Sequence, residues 1–137
     1  MFYSLAKLQR LYPEGFVIFA LNSSLQPEEE AKILRMFLRM KKCDPERMLV
    51  AEGCYQGEIE QSYVVPANWL RVIVNMLKTF KQESVLYVDA DLFAQLVHLR
   101  PQENQHLGEF VQCSANKAHR SEGYTKIGAS YFTCEER

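Results

Sequence analysis

Apolar positions along this chain change their spacing several times, and each change marks a different element. Phe2, Leu5, Leu8 and Leu11 or Tyr12 recur in steps of three and four. That spacing predicts a short amphipathic helix over residues 2–11, stopped by Pro13. Phe16 to Leu21 is a continuous apolar run of strand formers, which predicts a central strand covered on both faces. Asn22-Ser23-Ser24 then opens a helix. Ser23 with Gln26 fits a capping box, and Pro27 is tolerated because it falls in the first turn. Glu28, Glu29 and Glu30 suit the positive end of the helix dipole, and Arg35, Arg39, Lys41 and Lys42 the negative end. Ile33, Leu34, Phe37 and Leu38 form the apolar face, and the helix is predicted to end near Cys43-Asp44-Pro45.

Arg47 to Gly53 and Glu58 to Val65 flank a turn supplied by Gly57 and predict a β-hairpin. In the second strand Ile59, Gln61, Tyr63 and Val65 share one face, and Glu58, Glu60, Ser62 and Val64 the other. Pro66 begins a second helix, predicted to run to about Lys81. Its apolar surface is wider than one sheet contact requires. Ser84 to Asp89 reads as another strand. The order predicts an α+β fold with a ferredoxin-like β-α-β-β-α-β core over residues 16–89. An N-terminal helix precedes the core, and a C-terminal strand or hairpin extension occupies 92–137. Within that extension, Leu92 to Arg100 suggests a helical turn followed by a strand. Residues 101–125 read as a polar, mobile loop interrupted by a short strand at Phe110-Val111. Lys126 to Cys134 alternates as a last strand. The whole chain, 1–137, reads as a single domain.

Composition narrows the classes. Sixteen basic residues stand against 17 acidic ones, a net charge of -1. Coating a polyanion requires clustered Lys and Arg instead. The start of the chain is broken by Lys7, Gln9 and Arg10 and carries no export-type apolar run. No stretch approaches the ~20 apolar residues that span a bilayer. Cys43, Cys54, Cys113 and Cys134 form no C-x-x-C pair. Four reduced thiols in a cytoplasmic protein are therefore expected.

Candidate chemistry is sparse. Cys113, His119, His98 and His106 lack the paired x2–x4 spacing of a structural zinc site. Cys54 would need His98 or His119 within reach to act as a nucleophile, and a free cysteine is more often a small hydrophobe. Glu58 and Glu60 share a strand face with Glu52 opposite, and Asp89 and Asp91 follow the last core strand. Such pairs can share a proton or hold Mg²⁺, though solvated charges and turn caps are commoner. No glycine-rich phosphate cradle and no RNP1 sequence occurs. Phe16, Phe19, Tyr63 and Tyr87, with the segment Lys117 to Lys126, make only a modest case for nucleic acid, which is not expected as a partner. No metal or cofactor is expected.

Several short stretches add a resemblance. Ile18-Phe19-Ala20-Leu21-Asn22 is an aliphatic-small-x-Asn strand end. Gly53, Gly57, Glu60, Ser62 and Tyr63 make a Gly…Gly…Glu-x-Ser-aromatic hairpin. Phe80, Gln82, Ser84 and Val85 make a Phe-x-Gln-x-Ser-aliphatic strand. Together, over about residues 16–89, they resemble a bacterial and phage domain family of unknown function. Ser23 departs from that family, which has Pro after the Asn. The resemblance implies that Asn22, Glu60, Ser62 and Gln82 belong to one ligand-binding site.

The leading expectation from sequence is a small non-enzymatic accessory or phage-type protein. It would bind and modulate a host or partner protein, in anti-defence or host takeover, through Trp69, Val72, Met76 and Phe80. The same apolar helix face would equally serve a homodimer. The first alternative is a small-ligand binder or enzyme using Asn22, Glu60, Ser62 and Gln82, and the second is a nucleic-acid-binding module.

Overall fold

A computed structural model describes residues 1–80, 82–100 and 103–136. The expected end of the second helix at Lys81, and the first two positions of the expected loop 101–125, lie outside them. The central strand β1 (Phe16–Ala20) is buried along its whole length. It pairs antiparallel with β3 (Glu58–Pro66) on one side and β4 (Ser84–Val88) on the other. Beyond β3 lies β2 (Leu49–Tyr55). The hairpin between them turns on Gln56 and Gly57, both at positive φ (52° and 83°). This is the two-residue primed turn that matches strand twist.

The expected ferredoxin-like α+β fold is not what forms: the strands close into an antiparallel β-barrel of order β1-β3-β2-β7-β8-β6-β5-β4. A four-stranded sheet would leave the outer edges of β4 and β2 unpaired. Here β5 (Phe93–His98) pairs with β4, and β7 (Gly123–Ile127) pairs with β2. Strands β6 (Gln105–Cys113) and β8 (Ser130–Glu135) complete the wall, so no edge among these strands is left to template association.

The expected mobile loop is likewise replaced by strand β6, helix α4 (Ala115–Arg120) and most of β7. The residues expected to form a helical turn before a strand are the turn and start of β5. Strand β6 lacks a clean alternation for a local reason. Opposite Ala94, β6 carries one residue too many: the pairing passes from Gly108 to His106 and skips Leu107. The bulge breaks the period of two, so inward Leu107 and Phe110 stand three apart. Gly108 adopts φ 91°, and a Cβ there would overlap the carbonyl oxygen of Glu135.

Two cores lie on either side of the wall. The inner one fills the barrel with Phe16, Ile18, Ala51, Val64, Val88, Phe110, Ile127 and Phe132. Phe110 stacks on Phe132 at 5.1 Å and meets Phe16 edge-on at 5.3 Å. Eight strands enclose only enough room for side chains, so the barrel is a packed solid. Helix α1 (Leu5–Leu11) closes one end, with Leu8 and Tyr12 inside. Tyr12 donates to the carbonyl of Arg47 at 2.8 Å.

The outer core lies between β1, β3, β4 and the helices α2 (Pro27–Met40) and α3 (Leu70–Leu77). Leu34 and Leu38 are fully covered, each contributing about 1.5–3 kcal/mol of burial. Helix α3 is shorter than predicted. Ala67–Trp69 form a 3-10 turn before it, and the Thr79 hydroxyl donates to the Met76 carbonyl just past its end. Among the described residues, no helix is long and apolar enough to cross a membrane. The four cysteines are unpaired.

Candidate active site

Strand register brings polar residues to the barrel end remote from α1. At that end β1 finishes, β3 and β4 begin and β2 finishes. Ala20 pairs with Ser62, and Gly53 pairs with both Glu60 and Thr125. Side chains alternate along β3, so Glu60 and Ser62 share the inward face of Val64, whereas Gln61 and Tyr63 face outward beneath α2. Ser62 is buried. Its hydroxyl occupies room left by Gly53, where a Cβ would stand 2.6 Å from Ser62 Oγ. Asn22 is exposed just past β1 at φ 52°, a left-handed conformation that Asn tolerates better than most residues. Gln82 is half-buried two residues before β4. The four residues singled out by the resemblance thus lie at one end of the barrel.

Behind that end is a hydrogen-bond network that the sequence reading did not single out. Glu30, on α2, is only 6 % exposed. Its Oε1 accepts from the Tyr63 hydroxyl at 2.6 Å. Its Oε2 accepts from the Ser23 hydroxyl at 2.5 Å and from the Ser23 amide at 3.4 Å. Gln61 Nε2 donates to the Tyr63 oxygen at 2.8 Å and to the Pro27 carbonyl at 3.0 Å. The expected Ser23–Gln26 capping box therefore does not form. Gln26 is the N-cap and makes no side-chain cap bond, and the Ser23 hydroxyl is turned to Glu30. A signal for Glu30 was present in the sequence: it sits four and eight residues before Leu34 and Leu38, on the buried stripe of the helix.

Glu60 and Glu58 are exposed at this end. Partial burial of the Glu60 carboxyl first, then Glu58 and Glu30, push it above its ordinary range. Burial, and after it the bond to Glu30, push the Tyr63 phenol well above its own.

Other candidates are placed elsewhere. Asp89 accepts from the amides of Asp91 (2.9 Å) and Phe93 (3.0 Å), capping the β4–β5 turn. Glu52 accepts from the Tyr124 hydroxyl at 3.4 Å on the outer wall. Burial, with Cys54 and Glu52 beside it, pushes the Tyr124 phenol up to about 12. His119 packs edge-on against Tyr124 and Tyr131 there, whereas His98 ends β5 opposite Ser84. Among the described residues, no group of three or more His, Cys, Asp or Glu could hold a metal ion. Phe16, Phe19 and Tyr63 are core residues. Trp69 is buried in the outer core, and Val72 and Met76 pack partly against it. Val72, Met76 and Phe80 line a groove of about 420 Å³ between α2 and α3, with Leu21, Ile33 and Phe37 opposite.

Fold and site together define a closed antiparallel barrel whose end remote from α1 carries carboxylate, amide and hydroxyl side chains. The sequence model of a family described as the S-Adenosylmethionine lyase family matches residues 20–135. The chain belongs to that family. No curated protein is similar enough to the chain to count as a relative. The family match overturns the expectation of a non-enzymatic, phage-type inhibitor, since the family is one of enzymes. A family-level match is thus found, as the resemblance implied, and it extends past residue 89 to residue 135.

Proposed function

We propose that this protein cleaves S-adenosylmethionine, and that the substrate binds at the acidic barrel end beside Asn22, Glu60, Ser62 and Gln82. The observation that carries the reading is the family match over residues 20–135, which includes all four positions. The local charge supports it. S-adenosylmethionine carries a sulfonium and an α-ammonium, and carboxylates gathered at Glu58, Glu60 and Glu30 attract cations.

A lyase breaks its bond without water, and this substrate brings what that requires. Its own carboxylate can close a five-membered ring on Cγ as the Cγ–S bond breaks. The bonding pair leaves on sulfur, giving neutral 5′-methylthioadenosine and a lactone that keeps the ammonium. Charge balances without a base. Opposite charges disappear in the transition state, so partial removal of water accelerates the step. The protein's task is to hold the chain folded with carboxylate and Cγ in line. Ser62 and Asn22 suit that orientation, and Glu60 suits the ammonium.

The reading is tested by incubating the purified protein with S-adenosylmethionine and quantifying 5′-methylthioadenosine by chromatography. Native protein should release it. Glu60→Gln should raise KM about tenfold with little change in kcat, because the ammonium keeps its charge in the transition state. Folded native protein that leaves the substrate intact would refute the proposal.

A further inference from the structure

Among the described residues, Glu30 is the only charged side chain that is buried. A leucine there would simply extend the stripe of Leu34 and Leu38, and replacing a buried charge by a well-packed apolar group is often neutral or stabilising. What the carboxylate adds is a link between elements. One oxygen holds Ser23, the neighbour of Asn22, and the other holds Tyr63, the neighbour of Ser62. Gln61, between Glu60 and Ser62, bonds the same Tyr63 oxygen and the first residue of α2. Asn22 also needs support, because its left-handed backbone is a conformation that surrounding structure must maintain.

We infer that Glu30 is a positioning residue for the S-adenosylmethionine site: its two oxygens tie the loop carrying Asn22 to the strand carrying Glu60 and Ser62. The inference rests on the lyase reading. Glu30 does not touch the substrate, since its oxygens are committed to Ser23 and Tyr63 behind the barrel wall. Releasing either link lets the two halves of the site drift apart, and a misplacement of about 1 Å is enough to cost an enzyme dearly.

The test is steady-state kinetics on S-adenosylmethionine for native protein, Ser23→Ala, Tyr63→Phe, Glu30→Gln and the double variant Ser23→Ala/Glu30→Gln. Ser23→Ala and Tyr63→Phe keep every charge, so a change in them reports geometry rather than the field of Glu30. Each should lower kcat/KM, per mole of folded protein, roughly threefold to tenfold. Glu30→Gln keeps one acceptor oxygen and should lower it by a similar factor, and adding Ser23→Ala to it should cost less than Ser23→Ala alone, because both act on one link. A purely structural role would lower only the folded fraction, leaving kcat/KM per mole of folded protein where it was. If Glu30→Gln does not fold, Ser23→Ala decides, since it alters one half-buried loop hydroxyl. A kcat/KM per mole of folded protein within twofold of native in both single-hydroxyl variants would overturn the inference while leaving the lyase reading standing. An inactive native protein would take down both.

Discussion

Replacing Tyr63 by phenylalanine removes one oxygen from the middle of the outer core. Tyr63 is 0 % exposed, and its hydroxyl donates to Glu30 at 2.6 Å while accepting from Gln61 at 2.8 Å. Gln61 keeps the Pro27 carbonyl at 3.0 Å as an acceptor, so its amide is not orphaned. Glu30 keeps Ser23 on one oxygen but loses the donor on the other. Hydrogen bonds to charged groups contribute about 1.5–3 kcal/mol, so Tyr63→Phe should destabilise by roughly 2 kcal/mol at neutral pH. The chain's single tryptophan, Trp69, is buried in the same core, so urea unfolding followed by its fluorescence reads this region directly. The midpoint should fall with the slope unchanged.

The pH dependence carries a sign. The folded-state pKa of Tyr63 lies above its ordinary 10.0, so its contribution is fully present below pH 10 and lost as pH rises through the folded value. Tyr63→Phe should therefore lose less stability than the native protein above about pH 10. A destabilisation below about 0.5 kcal/mol, within the range of an ordinary surface change, would show that the buried carboxylate does not depend on this hydroxyl.

Three further outcomes follow from the same structure. Gly108→Ala should destabilise by at least about 2 kcal/mol in the same urea assay, because the bulge demands φ 91° and the Glu135 carbonyl fills the space; a neutral result would argue against the bulge. Because Glu60 titrates above its ordinary range, the stability linked to it is lost as pH rises through its folded pKa. Glu60→Gln should thus melt slightly higher than native protein at pH 7 and lose that advantage below about pH 4.5, by differential scanning calorimetry. Cys43 is buried, and burial pushes the Cys134 thiol up to about 11, so a thiol reagent at pH 8 should label both only on unfolding. Rapid labelling of four thiols in the folded protein would contradict that.

Local structure was legible in the sequence where one physical signal dominated. The apolar run at 16–21, the amphipathic helix ending near Cys43, and the hairpin around Gly57 form where their patterns placed them. The closed barrel was not legible, because closure depends on strands with weak patterns. Strand β6 is polar and bulged, and of its nine residues only Phe110 is fully buried. Strand β7 follows a six-residue helix that sequence reading merged into a loop. The candidate site was half legible. Asn22, Glu60, Ser62 and Gln82 were grouped by resemblance, and the register of β1, β3 and β4 supplies the reason they share one end. The three acids of the first turn all suit the helix dipole, and only the spacing of Glu30 to Leu34 and Leu38 separates it from its exposed neighbours Glu28 and Glu29.

The central claim, that the chain is a lyase acting on S-adenosylmethionine, is tested most directly by proton NMR of the substrate with native protein. The sulfonium methyl resonance should decay while a thioether methyl resonance grows in equal amount, the methyl staying on sulfur throughout. An undiminished sulfonium signal, or a methyl group that leaves the sulfur, would contradict the account.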